Sequence, residues 1–251
     1  MASVIDVFFL SVIMGLSIFL SLPIIFHKRS GERTKRIINS VAIGILIFLI
    51  ADIFADASGT LYGPAGYGYL ANPYYSAVFI ISLLVGFFVL YTFENRHPGG
   101  LSKHDTAKMI SVGMGLQNAM EGLVCGALAA TTGILYSGIT LVILIGFTLQ
   151  NATEGFPIAA PFVGEGDAKI GTVAVLMLVA SLPTIFGAVV GFYSSYPSLN
   201  LFFEGLAIGA ILYIIIPMIR HQVRDIDNQK QKLVYLGIFV GFVIGIAVNM
   251  L

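Results

Sequence analysis

The chain has 251 residues, of which 57% are hydrophobic and only 10% charged, and its mean hydropathy is +0.94. Soluble domains are about 45–50% apolar and about 25% charged, and a fold of this size has too small an interior to hide the excess. The 13 basic and 13 acidic residues balance, so no surplus charge would attract a nucleic acid. These numbers exclude a soluble enzyme, a disulfide-rich secreted scaffold and a nucleic-acid binder, and they predict an integral membrane protein.

Eight apolar stretches predict how the chain crosses the membrane. A helix needs about 20 residues to span roughly 30 Å of hydrocarbon, and none of the stretches alternates apolar and polar residues as the strand of a barrel would. We therefore expect an all-α integral membrane fold with eight transmembrane helices. Because the connections are short, residues 1–251 form a single predicted transmembrane domain. The predicted helices span 4–26, 37–57, 74–94, 109–130, 138–161, 170–192, 200–219 and 233–251.

The distribution of basic residues predicts the orientation of these helices. All lysines and arginines fall in the connections between predicted helices 1 and 2, 3 and 4, 5 and 6, and 7 and 8. The positive-inside rule assigns these connections to the cytoplasm, so both termini are expected outside. All four histidines fall there too, so a site inside the membrane must use oxygen and amide ligands. The basic residues are Lys28, Arg29, Arg33, Lys35, Arg36, Arg96, Lys103, Lys108, Lys169, Arg220, Arg224, Lys230 and Lys232, and the histidines are His27, His97, His104 and His221.

Two matching polar hexapeptides lie within predicted helices 4 and 5. Residues 117–122 read Gln-Asn-Ala-Met-Glu-Gly, and residues 150–155 read Gln-Asn-Ala-Thr-Glu-Gly. In each motif the Gln and the Glu are four residues apart, which places them on one face of a helix. A charged carboxylate inside a bilayer costs free energy, so each glutamate is a candidate functional group.

If the two polar faces meet, they form a candidate cation site between helices 4 and 5. A divalent cation would neutralise both carboxylates, and the amide oxygens would complete an oxygen-rich shell. Protons could also neutralise the two carboxylates, with less specificity. Alternatively, the Asn and Gln side chains could simply form hydrogen bonds that hold the two helices together, without any cation. The six candidate metal ligands are Gln117, Asn118, Glu121, Gln150, Asn151 and Glu154.

Four further polar or soft side chains inside the predicted helices are left open as ligands. Asp52 and Asp56 lie one helical turn apart near the outer end of helix 2, where they could attract cations or be solvated. Glu204 lies about one turn from the outer end of helix 7. Cys125 lies four residues after Glu121 on the same face, where a thiolate would suit a soft metal and a thiol would simply be a small apolar group.

The topology and the paired hexapeptides together resemble the Zrt/Irt-like (ZIP) family of divalent metal transporters, and most closely its prokaryotic branch. In that family helix 4 typically reads H-N-x-P-[DE]-G, and helix 5 of many prokaryotic members reads Q-[DN]-x-P-E-G. The matching residues here are Asn118, Glu121 and Gly122 in helix 4 and Gln150, Asn151, Glu154 and Gly155 in helix 5.

The chain also departs from the pattern of that family. Gln117 stands where the family usually has a histidine, and Met120 and Thr153 stand where it has prolines. Many prokaryotic members carry a further glutamate before a proline in helix 6, whereas residues 181–184 here read Ser-Leu-Pro-Thr. A site without histidine should favour Zn(II) less strongly over Fe(II) and Mn(II).

The resemblance implies a transporter that moves zinc, or iron or manganese, into the cytoplasm across the cell membrane. It implies no enzymatic activity and no cofactor apart from the transported ion. The expected partners are the divalent metal ion and the lipid bilayer, with a homodimer left open and no nucleic acid. Two alternatives stay open: a ZIP-like protein that does not transport, and an intramembrane enzyme that uses Glu121 and Glu154 as acid and base.

Overall fold

A computed structural model of the chain is helical throughout its described length, and no strand occurs among the described residues. The structure describes residues 3–26, 32–63, 72–96, 102–132, 138–163, 169–194, 196–223 and 227–250. The α-helices in these ranges are α1 (Val4–Leu16), α2 (Glu32–Tyr62), α3 (Pro73–Asn95), α4 (Lys103–Thr132), α5 (Gly138–Ala159), α6 (Ile170–Tyr193), α7 (Pro197–Val223) and α8 (Asn228–Asn249). The 3₁₀ segments Ser17–Phe26 and Ala160–Phe162 follow α1 and α5.

Each predicted helix corresponds to an observed one, but several ends differ. The first was expected to be one helix over 4–26, whereas α1 ends at Leu16 and a 3₁₀ segment containing Pro23 follows. Proline lacks the N–H that an α-helical hydrogen bond requires. At their basic ends α2, α4 and α7 extend beyond the predicted boundaries, because charged residues form helices readily although they add no hydropathy.

Six of the described helices are long and apolar enough to cross a membrane by length and composition. They are α1 with the first part of its 3₁₀ extension, α2, α3, α6, α7 and α8. Helices α4 and α5, which carry the two hexapeptides, fall outside this set. Large apolar side chains such as Ile81, Phe88 and Phe239 are exposed on α3 and α8, as expected where a helix faces lipid. The fold is that of a multi-pass membrane protein.

Three pairs of helices pack backbone against backbone at glycines. A Cβ atom at Gly122 of α4 would lie 2.1 Å from the Thr184 carbonyl oxygen of α6. Equally close approaches join α3 to α7 at Gly209 and α2 to α8 at Gly241. Only glycine permits such contacts, and small residues are the usual means of helix association in membranes.

The helices within each of these pairs run parallel. On α4, Gly122 meets Thr184 and Gly126 meets Ala188, so the contacts advance in the same direction along both helices. The same holds for the contacts of α7 with α3 and of α8 with α2. The pairs thus join α4 with α6, α3 with α7, and α2 with α8, and α5 lies beside α4.

Candidate metal site

The two hexapeptides face each other across the contact between α4 and α5. The Nε2 atom of Gln117 donates a hydrogen bond to Oε1 of Glu154 at 3.0 Å, and Nδ2 of Asn151 donates to Oε2 of Glu121 at 2.9 Å. The start of each motif meets the end of the other, as antiparallel helices require. The structure therefore brings carboxylates and amides of both helices into one polar cluster.

This polar cluster lies in the interior of the helix bundle. None of its six members is more than 7% exposed. The ion pairs within the described ranges join neighbouring residues at helix ends, and none includes Glu121 or Glu154. Two ionised carboxylates without a cationic partner repel each other strongly in a low-dielectric interior. The members of the cluster are Gln117, Asn118, Glu121, Gln150, Asn151 and Glu154.

The Gln117 amide links the two carboxylates. Besides its bond to Glu154, Nε2 of Gln117 donates to Oε1 of Glu121 at 3.1 Å, and the two hydrogens of one amide group can serve both bonds. Asn151 Nδ2 also donates to the carbonyl of Phe147 at 3.0 Å. The N–H groups of Gln117 and Asn151 are therefore directed toward carboxylates and backbone, and their oxygens are left for another partner.

Four buried oxygens of the cluster have no hydrogen-bond partner among the described residues. They are Gln117 Oε1, Asn118 Oδ1, Asn151 Oδ1 and Glu154 Oε2. All four are acceptors, and each buried acceptor without a partner costs about 1–3 kcal/mol. Native proteins leave few such atoms unpaired. A group of unpaired oxygens around two carboxylates is the donor set that a hard divalent cation coordinates.

Helix α6 closes one side of the cluster. Asn118 Nδ2 donates to the Ala180 carbonyl at 3.0 Å. Thr184 is fully buried one turn further on, and its hydroxyl oxygen has no partner among the described residues. This part of α6 has no carboxylate, as expected from residues 181–184, and Thr184 is not among the ligands that the sequence predicts. The available signal was a hydroxyl directly after Pro183 in a helix without charged residues.

Helices α2 and α8 also contact the surroundings of the cluster, through Asp52 and Asn249. The Nε2 atom of Gln150 donates to Oδ2 of Asp52 at 3.2 Å, and the Asn249 amide donates to the other carboxylate oxygen. The Asp52 charge also acts on Glu121 and Glu154. Asp52, whose role the sequence leaves open, therefore belongs to the surroundings of the cluster. Asn249 is not among the predicted ligands, because a polar residue near the end of a helix is common.

Three further candidates were left open as ligands: Glu204, Asp56 and Cys125. Glu204 is only 5% exposed, its Oε2 atom has no partner among the described residues, and its charge interacts with that of Asp56. Cys125 is a buried free cysteine within electrostatic range of Glu121. No hydrogen bond described in the structure joins Glu204, Asp56 or Cys125 to the six cluster residues.

The two described histidines lie near helix ends rather than in the cluster. His104 is in the first turn of α4, with its ring centroid 6.2 Å from that of Phe162, and His221 is in the last turn of α7. His27, His97, Lys28, Arg29 and Arg224 lie outside the described residues. Within the described ranges, no group of three or more His, Cys, Asp and Glu residues is gathered closely enough to hold a metal ion. Ligation at the polar cluster would therefore combine its two carboxylates with amide oxygens.

Fold and site together define a helical multi-pass membrane protein with a buried, oxygen-rich polar cluster. No family model matches the chain, and no curated protein matches it in sequence.

Proposed function

We propose that the protein is a ZIP-like divalent metal-ion transporter that carries Zn(II), Fe(II) or Mn(II) across the cell membrane into the cytoplasm. In this proposal the transported ion occupies the polar cluster between α4 and α5. Glu121 and Glu154 supply the negative charge, and Gln117, Asn118, Gln150 and Asn151 supply amide oxygens.

The four unpaired acceptor oxygens carry this proposal. Amides that served only to hold two helices together would pair their N–H groups and their oxygens with each other. Here the N–H groups of Gln117 and Asn151 donate to the carboxylates, and their oxygens accept no hydrogen bond from any described residue. A divalent cation would satisfy the oxygens and balance the two carboxylate charges at once.

The packing of the helices supports eight membrane crossings, which put both termini on one side, and the positive-inside rule assigns that side to the outside. Successive crossings alternate in direction, so helices separated by an even number of steps must be parallel. The pairs α4 with α6, α3 with α7, and α2 with α8 satisfy this requirement, and α4 with α5 is antiparallel. Because α4 and α5 bury their polar residues against neighbouring helices, modest hydropathy does not prevent them from crossing.

The orientation can be tested by labelling single cysteines in a Cys125→Ser background. We expect Arg33→Cys and Lys232→Cys to react with an impermeant reagent from the cytoplasmic side, and Tyr196→Cys from the outside. The three sites lie at or next to helix ends, where labelling depends on the side of the membrane. Labelling of positions 33 and 232 from opposite sides would contradict the eight-helix topology.

The transport proposal is tested by ion uptake into proteoliposomes. Glu121→Gln and Glu154→Gln should each reduce divalent-ion uptake at least about 100-fold, because one remaining carboxylate leaves a bound divalent ion with uncompensated charge in a low-dielectric site. Glutamine keeps the shape of the side chain, so the protein should still fold. Glu32→Gln is the matched control, since this side chain is 83% exposed at the start of α2.

Uptake at the unmodified rate in either glutamate variant would place the ion elsewhere. Metal binding by the purified protein without any uptake would favour the non-transporting alternative. Conversion of a substrate within the membrane that depends on Glu121 and Glu154, without ion flux, would favour the intramembrane enzyme.

A further inference from the structure

A cavity of about 590 Å³ opens at the end of the bundle where α2 and α4 begin and α3 and α7 end. Five helical elements contribute to its wall: these four helices and the 3₁₀ segment after α5. Its volume lies within the roughly 300–1,000 Å³ of small-molecule sites. It is therefore large enough for a small organic anion and not merely for a single bare ion.

The charged lining of this cavity is predominantly basic. Lys35 and Arg36 come from α2, Lys103 from α4, and Arg220 from α7, with His221 beside it. The four lysines and arginines thus converge from three helices that are distant in the sequence. The described part of the lining contains two carboxylates, those of Glu32 and Glu94.

Both carboxylates of the lining are engaged by neighbouring groups. Glu32 accepts a hydrogen bond from Lys35 at 3.2 Å, and its side chain is 83% exposed. Glu94 accepts a hydrogen bond from the Tyr213 hydroxyl. Among the described lining residues, four lysine and arginine side chains therefore face only these two carboxylates.

Arg36 is held in place within this lining. One terminal nitrogen of its guanidinium donates to the carbonyl oxygen of Gln222 at 2.5 Å, and Gln222 is buried in the last turn of α7. A guanidinium has five N–H donors, so the bond to Gln222 leaves donor capacity for an anion. A fixed guanidinium loses little side-chain entropy on binding a phosphate in a bidentate manner.

We propose that this cavity binds a phosphate-bearing anion, either a small soluble phosphate monoester or the headgroup of an anionic phospholipid. Basic pockets between membrane helices bind such headgroups. The positive-inside rule accounts for basic residues at this end of the protein, but it does not require them to surround one cavity. Arg33, Lys108 and Lys232 lie at the same end without lining it. This proposal does not rest on the proposed transport function.

The test is thermal unfolding of the purified chain, followed with a thiol-reactive dye. Cys125 is the single cysteine and is buried, so it reports unfolding without an added label. One arm adds glycerol 3-phosphate to protein in phosphatidylcholine micelles, and the other replaces part of the phosphatidylcholine by phosphatidylglycerol. Both arms are compared with sodium chloride at the same ionic strength.

We expect the unfolding temperature to rise in at least one arm. Arg36→Gln and Arg220→Gln should each weaken the apparent affinity about tenfold, as loss of one charge-assisted hydrogen bond implies. Lys232→Gln should leave it unchanged. Arg36 also donates a hydrogen bond to Gln222, so Arg36→Gln could impair folding. Arg220→Gln then tests the cavity without removing that bond.

A rise with glycerol 3-phosphate identifies a soluble ligand, and a rise with phosphatidylglycerol alone identifies a lipid headgroup. No rise in either arm overturns the proposal. A rise that both arginine variants leave unchanged also overturns it, because general screening of basic charge would then explain the effect. Ion uptake plays no part in this experiment, so its failure is distinguishable from failure of the transport proposal.

Discussion

Helix α4 has two faces that differ in chemistry, although residues of both faces are neighbours in the sequence. Gln117 and Glu121 lie on the face that meets α5, where polar side chains form hydrogen bonds between the two helices. Gly122 and Gly126 lie on the face that meets α6, where backbone contacts backbone. The adjacent residues Glu121 and Gly122 thus have different roles: Glu121 forms polar contacts with α5, and Gly122 packs closely against α6.

Helix α5 repeats this division of roles. Glu154 faces α4, whereas a Cβ atom at the next residue, Gly155, would lie 2.3 Å from the carbonyl oxygen of Ile18 in the 3₁₀ segment. The Glu-Gly pair that ends each motif therefore joins a carboxylate to a tight packing contact. A rigid packing face holds the carboxylate in position, which a preorganised binding site requires.

Substitution of the packing glycine should have the largest effect on folding. Gly122→Ala places a Cβ atom 2.1 Å from the Thr184 carbonyl, so α4 and α6 must separate, and we expect a loss of about 1–3 kcal/mol of stability. Glu121→Gln, on the other face, should change stability much less while it abolishes uptake. Unfolding in mixed micelles measures both.

Gly146→Ala is the matched control for this prediction. Gly146 is also in a helix, but a Cβ atom there would meet nothing within 4 Å. Alanine should therefore be neutral or stabilise the protein by about 0.5–1 kcal/mol, as expected of a helix interior. Equal stability changes at positions 122 and 146 would contradict the division between the two faces.

Removal of the Asp52 carboxylate should have an intermediate effect on the polar face. Asp52→Ala deprives the Gln150 amide of its acceptor, so this side chain is no longer held in orientation. We expect KM for ion uptake to rise roughly fivefold, corresponding to about 1 kcal/mol for one hydrogen bond, with a smaller change in kcat.

Two variants control for charge in the Asp52 experiment. Asp52→Asn retains one acceptor oxygen for Gln150 and should restore part of the lost affinity. Asp56→Asn removes a charge one turn away without changing any described hydrogen bond to the cluster, so KM should stay close to that of the unmodified protein. If Asp52→Asn raised KM as much as Asp52→Ala does, Asp52 would act through its charge and not through the hydrogen bond to Gln150.

The smallest expected effect concerns ion selectivity at Gln117. Gln117→His replaces an amide by an imidazole nitrogen, which favours Zn(II) over Mn(II) along the Irving–Williams order. We expect the preference for Zn(II) in competitive uptake to increase about threefold or more, with Mn(II) uptake nearly unchanged. An unaltered Zn(II)/Mn(II) ratio would mean that the side chain at 117 does not contact the ion.

Much of the architecture could be predicted from local features of the sequence. The excess of apolar residues requires a membrane, and the length of each apolar stretch requires a helix, because both depend only on solvation of consecutive residues. The four-residue spacing of Gln117 and Glu121 fixes their common face through helix geometry alone. The polar cluster between α4 and α5 was therefore predictable as soon as the two faces were assumed to meet.

The tertiary structure decided which elements surround that cluster. The contact of Gln150 with Asp52 joins residues 98 apart, and that of Asn249 with Asp52 joins residues 197 apart. The basic cavity likewise requires the first turns of α2 and α4 to lie beside the last turn of α7. Hydropathy cannot predict such neighbours, because lipid is as apolar as the helix surfaces and gives no helix a preferred partner. Glycine contacts and interhelical hydrogen bonds determine the neighbours, and they form only when the whole bundle is assembled.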